Sequence, residues 1–460
     1  VIGSSWTLGE IAALSGGRLL HADESRSIAY ESLSLDSRTL RPGDFFVALR
    51  GEQFDGHAFL KRAFEAGACA ALVDAPLEEP RPQIVVGDSL LGWQRWAANH
   101  RARWDGRIVA ITGSSGKTTT KDLVAHLLGD GVWATRGNRN NHVGVPWTLL
   151  GLSSAHRFAV IEMGMNHAGE IELLSNLTRP DVALITSVGR AHIGHFGSRE
   201  AILAAKLEIE SGLASGAPLV LPDDPWILER LPASMSARPR RTFGLSGSAD
   251  WHPEGAPEIS ISGTRFSTRQ TGPVHLAPLG MGAMLSSLGA LAAVEALGED
   301  PARFAPRLAH APRQALRMEP RRVHDLDWIL DCYNASPEST RLAIEFLRTV
   351  PHRGRRVLVL GALAELGDAS ESIHRELGSL VHGIEIACFI GQDARPAHDA
   401  CLRSSGVDLV NWSATREDAS DWLAETLRRG DLVLLKASRR LALERILERF
   451  TPDFSFRTEG

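Results

Sequence analysis

Lys117 and Thr118 stand directly after a turn of glycine and serine, within the stretch RIVAITGSSGKTTTK from Arg107 to Lys121. The run before the turn is short and β-branched, and an amphipathic helical pattern starts at Lys117. Glycines let backbone N–H groups converge on an anion, and a helix N-terminus adds partial positive charge. Such a segment cradles a phosphate. Lys117 is spaced to reach the outer phosphates of a nucleotide, and Thr118 to offer its hydroxyl to Mg²⁺. The commoner phosphate loop has a glycine five residues before Gly116. Ile111 stands there, which leaves the shorter TGxxGKT form. The plainer alternative is a Gly-rich turn before a surface lysine, and the complete order of strand, turn, GKT and helix argues against it.

Other polar residues close apolar runs. Glu162 ends the strand-like run in FAVIEMGMNHAGEI. It reads as a helix cap or ion-paired group, or, beside a phosphate loop, as the carboxylate ligand that Mg²⁺ prefers. His192 in VALITSVGRAHIGHFGS reads as a metal or phosphate contact or as an ordinary hydrogen-bonding loop residue, with His195 close by as a structural companion. Lys206 in AAKLEIE lies in a helical segment. From the residues alone it is a surface lysine paired with Glu210. Asn138, Asn140 and Asn141 cluster among glycines, where asparagine serves turns as well as ligands. Asp331 opens DCYNASPEST at a strand end. Its carboxylate suits ribose hydroxyls, or caps the helix whose first turn holds Ser336 and Pro337.

These residues need elements to position them. Apolar runs at Ile108–Thr112, Phe158–Glu162, Val182–Thr186 and Leu219–Leu221 read as strands buried on both faces. Trp328–Asp331, Arg356–Leu360, Ile386–Ile390 and Leu432–Leu435 continue the series. Lys117–Leu128 and Ser339–Arg348 read as intervening helices. The alternation predicts doubly wound α/β domains, with ligands at the strand ends. The first 80 or so residues alternate less clearly and carry a dense turn segment, Asp36–Phe59. The Pro-rich stretch Ala75–Pro82 and the region near Pro312 mark boundaries, giving domains at 1–82, 83–312 and 313–460.

The 460 residues suit about three domains. Hydrophobic content of 43% and charged content of 23% describe an ordinary globular chain, and a net charge of −5 argues against nucleic-acid binding. The four cysteines form no CxxC pair and read as reduced thiols. The first residues show no basic region followed by an apolar core, so no secretory leader is expected. The apolar stretch Met281–Leu297 is short for a bilayer and carries Ser286, Ser287 and Glu295, which predicts a packed helix and no membrane insertion.

The ordered segments TGSSGKTTTK, GNRNNHVGVP, EMGMNHAGEI, SVGRAHIGHFGS, DCYNASP and ELGDASESIH resemble the Mur ligase family of cytoplasmic amide ligases that build peptidoglycan precursors, over nearly the whole chain. The resemblance implies an N-terminal α/β domain for the UDP end of the substrate, a central phosphate-loop ATPase domain with a parallel sheet, and a C-terminal Rossmann-like domain that closes the site. GNxNNxxGVP, EMGxNHxGEI, YNAxP and the N-terminal DSRxLxPGDxFVAL match the branch that joins D-alanyl-D-alanine to UDP-N-acetylmuramoyl-tripeptide. The implied ATP site takes Gly113, Ser114, Ser115, Gly116, Lys117, Thr118, Thr119, Asn141, Ser286, Arg317, Asp331 and Asn334. The implied substrate site takes Ser34, Asp36, Ser37, Arg38, Asp55, Gly56, His57, Asn138, Asn166 and His167. The resemblance further implies two Mg²⁺ ions, the first held by Thr118 and Glu162, the second by His192 and Lys206 with its amine carbamylated. Lys117, Lys206, His192 and Glu162 would then carry the chemistry in a monomeric, cytoplasmic enzyme.

The chain departs from the family pattern in places. PLGMGAMLSSL replaces PGxHNxxNAL, so Gly282 and Ala283 stand for His-Asn, and Ser286 for an asparagine near adenine. Ala362 stands for the aspartate of GDM, and Ala437 for the glycine of KGSR. Three alternatives remain open on these residues: a sister ligase adding one amino acid, a folylpolyglutamate synthetase-like ligase, and a phosphate-loop switch ATPase.

Overall fold

The computed structural model describes residues 4–51, 54–78, 80–404 and 406–450. Glu52 and Gln53 of the turn-rich segment and Glu79 of the Pro-rich stretch lie outside the described residues, as do the extreme ends of the expected first and last domains. The chain forms two compact units. One comprises Val1–Ile111, Gly129–Ala183 and Glu208–Ala217, the other Thr112–Leu128, Leu184–Leu207 and Pro218–Gly460.

The first unit holds a five-stranded sheet in the order Arg18–Leu20, Gln83–Val85, Ala70–Val73, Phe45–Val47, Leu33–Ser34. The Arg18–Leu20 pairing is antiparallel and the others are parallel. Its strands are too short to show a period of two in the sequence, which is why this region reads as turns. Phe46, Leu60, Ala63, Phe64, Ala71 and Val73 bury its core. The same unit carries Phe158–Glu162 paired in parallel with Arg107–Thr112 on one side and Val132–Ala134 on the other. All five residues of Phe158–Glu162 are buried, so a continuous apolar run ends in a buried carboxylate.

In the second unit the helix Lys117–Leu128 packs against the long helix Gly280–Ala296, whose small and apolar residues are buried on most sides. Leu219–Pro222 and Arg240–Phe243 pair in parallel. The last third forms a six-stranded sheet in the order Glu319–Val323, Leu326–Asp331, Leu432–Lys436, Arg356–Gly361, Ile386–Ile390, Leu409–Ser413. It is parallel except for its first pair. Helix Pro337–Thr349 begins two residues before the sequence pattern suggests, because Ser336 caps it by accepting from Ser339 N–H. Among the described residues no helix is long and apolar enough to cross a membrane.

The first unit is stapled by an aromatic cluster. Trp96 meets Trp6, Phe45 and Trp93 edge-on, with ring centroids 5.0, 5.8 and 5.6 Å away. Beside it, the Trp6 indole N–H donates to His100 Nδ1 at 3.0 Å, and His100 Nε2 donates to the Leu152 carbonyl at 2.9 Å. This arrangement fixes one neutral tautomer, since a proton on Nδ1 would face the indole N–H. Burial is the main cause that pushes the His100 pKa down to about 4. The unfolded chain takes up that proton near 6.5, so between about 6.5 and about 4 the unfolded state binds more protons. Stability falls as the pH drops through that window, by roughly 3 kcal/mol for this group. The slope of unfolding free energy against pH in that range should shrink in His100→Gln. An unchanged slope would remove His100 as its source.

Candidate active site

The phosphate loop is held rigidly by a second loop of the same unit. Ser114 N–H donates to the Ser187 carbonyl at 2.9 Å, and Ser115 N–H to Ser187 Oγ at 2.9 Å. Gly189 N–H donates to Ser114 Oγ at 2.9 Å. The Thr186 hydroxyl stands 2.5 Å from the Ser115 carbonyl. Gly113 has φ +152°, and a Cβ there would fall 1.8 Å from Thr186 Oγ1, so only glycine fits. Gly116 also takes a positive φ, +80°. Lys117 folds back from the first turn of its helix, and its Nζ donates to the Gly113 carbonyl at 2.6 Å. The loop is thus preorganised with its lysine in place.

Lys206 overturns the surface reading of its helix. Its residue is 2% exposed. Burial first, and the nearby Lys117 charge second, hold its amine well below the usual lysine range. The buried amine is shielded from water and its charge is disfavoured there. Ile202, four residues earlier on the same helix face, is buried with it.

His192 is the left-handed residue before the short helix Ile193–Phe196, with φ +64°. Its Nδ1 lies 2.5 Å from Glu365 Oε2, a close contact outside regular hydrogen-bond angles. Glu365 has φ +63°. The contact to His192 is the main cause that keeps its carboxyl below the ordinary range. Two residues on, Gly194 N–H donates to the Glu365 carbonyl, and a Cβ on Gly194 would stand 2.7 Å from Gly367 N. Arg190 adds to this contact, its backbone N–H donating to Glu338 Oε1 and its guanidinium to Glu376 Oε2, both at 2.8 Å. Glu338, Glu365 and Glu376 are residues the sequence reading did not single out as site residues.

Thr118 and Thr119 open the same helix, and Arg317 Nη2 donates to Thr118 Oγ1 at 3.3 Å. Ser286 lies at the phosphate loop, since a Cβ on Gly116 would be 3.3 Å from its Oγ. Asp331 is not the helix cap. Its carboxylate pairs with Lys436 Nζ at 2.7 Å, and the same amine donates to the Asn334 carbonyl at 3.1 Å. Lys436 is 1% exposed, and sequence reasoning missed it because its partner lies 105 positions earlier.

In the first unit, Glu162 Oε1 accepts from Asn140 Nδ2 at 2.8 Å, and its backbone N–H donates to Thr135 Oγ1 at 2.9 Å. Its Oε2 is buried and, among the described residues, accepts no hydrogen bond. Asn141 Oδ1 accepts from the backbone N–H of Val143 and Gly144, and the Asn138 carbonyl accepts from Asn140 N–H, so this loop is shaped by its own asparagines. Asn166 and His167 give their backbone N–H groups to Glu170. Ser34 Oγ donates to the Asp36 carbonyl, and Asp36 grips the Arg38 guanidinium with both oxygens, which holds its pKa at about 2. Ser37 sits half-buried between them. Asp55 caps the turn Gly56–Phe59 and accepts from His57 Nδ1 at 2.6 Å, while His57 Nε2 accepts from Asp74 N–H. Gly56 is required there, because a Cβ would meet the Leu49 backbone at 2.7 Å.

A clamped glycine loop opening a helix after a parallel strand, with a charged lysine and a buried amine beside it, defines a nucleotide-phosphate-binding α/β protein. Comparison with known proteins narrows the class. Residues 29–89 match the Mur ligase family catalytic domain, 111–294 the Mur ligase middle domain, and 316–439 the Mur ligase glutamate ligase domain. The UDP-N-acetylmuramoyl-tripeptide--D-alanyl-D-alanine ligase of Bacillus subtilis is 34% identical over 96% of this chain and 97% of its own. MurF from Acinetobacter baumannii has a similar crystal structure, with TM-score 0.88, 30% identity and coverage of 98% and 99%. MurF from Thermotoga maritima in complex with ADP superposes with TM-score 0.81 at 31% identity, over 91% and 96% of the two chains. The chain belongs to the Mur ligase family, with that family's three-domain α/β architecture.

Proposed function

We propose that this chain is an ATP-dependent amide ligase that joins D-alanyl-D-alanine to UDP-N-acetylmuramoyl-tripeptide. The observation that carries this reading is the likeness, along almost the whole chain, to a ligase named for that reaction. The terminal carboxylate of the tripeptide attacks the γ-phosphorus of ATP, the bond to the β-phosphate oxygen breaks, and ADP leaves. The dipeptide amine then attacks the acyl phosphate carbonyl, loses a proton, and expels phosphate. An anion must approach a polyanion in the first step. The phosphate-loop N–H groups and Lys117 offset that repulsion and stabilise charge on the transferring group.

Mg²⁺ suits the donors present. Among the described residues no three of His, Cys, Asp and Glu gather into a protein cage. Mg²⁺ on nucleotide phosphates needs one or two carboxylates and not a cage. The open, buried Oε2 of Glu162 is such a donor, and Thr118 is a hydroxyl at the loop. When bound, the metal would neutralise phosphate charge. In our reading Lys206 reacts with CO₂, forming an N–C bond and releasing a proton, so that its carbamate and His192 serve a second Mg²⁺. The N-terminal set from Ser34 to His57, with Asn138, Asn166 and His167, takes the UDP-linked substrate. Arg317, Asp331 and Asn334 take the ribose side of ATP. With Ala283 and Ser286 in place of the usual residues, backbone groups and the Asn138–Asn141 loop take a larger share of holding adenine. The domains run 1–82, 83–312 and 313–460, and the enzyme works as a cytoplasmic monomer.

Phosphate release with a panel of UDP-muramoyl peptides and amine acceptors tests the reading. D-alanyl-D-alanine should support the fastest release, and free D-glutamate, diaminopimelate or glutamate little. Faster release with a single amino acid would assign the chain to a sister ligase. Release that needs no acceptor would assign it to a switch ATPase.

A further inference from the structure

The segment Ala311–Glu319 runs from the central region to the last sheet and is pinned at both ends. Arg313 donates to the carbonyls of Ala277 at 3.1 Å and Ser262 at 2.7 Å. Further on, Tyr333 N–H donates to the Leu316 carbonyl at 3.0 Å, and Met318 N–H to Asp331 Oδ1 at 3.3 Å. Leu316 and Met318 have φ +60° and +49°, a left-handed backbone that such side chains rarely adopt. Strain of this kind persists only where the surroundings over-determine it.

Between the pinned ends, two side chains turn onto the first turn of the phosphate-loop helix. Arg317 reaches Thr118 Oγ1 and lies over the Tyr333 ring, 4.3 Å from its centroid. Gln314 engages the helix with its whole amide. Its Nε2 donates to the Thr118 carbonyl at 3.1 Å and to the Asp122 carboxylate, and its Oε1 accepts from the Thr119 hydroxyl at 3.3 Å. The opposite oxygen of Asp122 is held by Lys121 Nζ at 2.5 Å. Only a primary amide of this length can both donate to a carbonyl and a carboxylate and accept from a hydroxyl.

We propose that Gln314 is a positioning residue for nucleotide binding, fixing the first turn of the phosphate-loop helix and tying nucleotide occupancy to the strained linker. The inference rests on the nucleotide-binding part of the function above and not on the identity of the acceptor. The first turn aims the N–H groups and Lys117 at the phosphates, so a small rotation there misdirects several donors together.

The test uses the full chain and a non-hydrolysable ATP analogue, with binding measured by calorimetry and KM measured for each substrate. Gln314→Met keeps the shape and loses the three hydrogen bonds. It should bind the analogue roughly tenfold more weakly, raise the KM for ATP in parallel, and leave the KM for UDP-tripeptide within about twofold. Gln314→Glu should lose more, because its carboxylate faces Asp122. Adding Asp122→Asn to it should restore part of the affinity, since the new amide donates to the new carboxylate. Gln314→Asn covers the case in which Gln314→Met does not fold, and the same ATP-selective loss is expected there. Wild-type affinity in a folded variant, or an equal rise in both KM values, would overturn the proposal. Analogue binding without dipeptide-dependent phosphate release by the wild-type chain would instead sink the ligase reading and leave this one standing.

Discussion

Lys117→Ala folds and does not turn over. The lysine reaches back across its own loop to the Gly113 carbonyl, so it is held against the loop that the proposal assigns to phosphate and needs little rearrangement to meet one. Removing a preorganised donor of this kind costs about 10²–10³ in rate. The effect on stability is small by comparison, on the order of 1 kcal/mol for one hydrogen bond, because the rest of the loop is clamped by Ser187 and Gly189. Circular dichroism and thermal unfolding should therefore match the wild type, while ATP-dependent ligation falls by at least a hundredfold. Near-normal ligation by a folded variant would withdraw the phosphate-loop assignment. A secondary consequence is measurable at Lys206. Loss of the Lys117 charge removes the lesser of the two causes that depress the Lys206 amine, so that amine should titrate higher than in the wild type yet stay below an ordinary lysine, because burial persists.

At Lys206 stability and activity should move in opposite directions. The unfolded chain carries this lysine protonated at neutral pH, and the folded chain disfavours that charge. The unfolded state thus binds the extra proton between the depressed folded value and the ordinary amine value. Across that window stability rises with pH, and at neutral pH the residue weakens the fold. Lys206→Met replaces the buried amine with an apolar chain of similar length, and should unfold at the same or a higher temperature. Its ligation should nonetheless almost vanish, since it can form no carbamate. In Lys206→Ala, a small carboxylate such as acetate should recover part of the rate, and removing CO₂ should slow the wild type. Full activity of Lys206→Ala, with an unmodified amine in a high-resolution map of the active Mg²⁺-loaded protein, would falsify the proposed carbamate.

The two lysines also mark where sequence reasoning reached its limit. The loop and helix start at Lys117 were legible because neighbours define them: a β-branched run, two glycines and a helix start act within a dozen residues. The strands that carry the site were legible for the same local reason, as continuous apolar runs, and Phe158–Glu162 and Ile386–Ile390 have the bounds their residues suggest. Lys206 was misread from its residues because i,i+4 spacing shows a helix face and not what covers it. Asp331 was half legible. A strand-end carboxylate is visible in the sequence, but what removes the cap reading is Lys436, which only the parallel pairing of Leu326–Asp331 with Leu432–Lys436 brings alongside. Gln314 carries no signal at all, since nothing in HAPRQALRME distinguishes a glutamine that meets a helix nearly 200 positions earlier. The N-terminal sheet was lost to strand length, its five strands spanning only two to four residues each.

The hydrogen bond between Trp6 and His100 gives the molecule an internal light gauge. An excited indole loses its energy readily to a neighbouring imidazolium and much less to a neutral imidazole. Trp6 meets His100 edge-on, with centroids 5.0 Å apart, so the proton that loosens this contact also dims the emission of Trp6. Acidification should therefore darken part of the fluorescence of the first unit before any shift in colour reports that its buried indoles have met water. The interval between dimming and shift measures how long the indole cluster outlasts the bond that staples it, in the native chain and without any added dye.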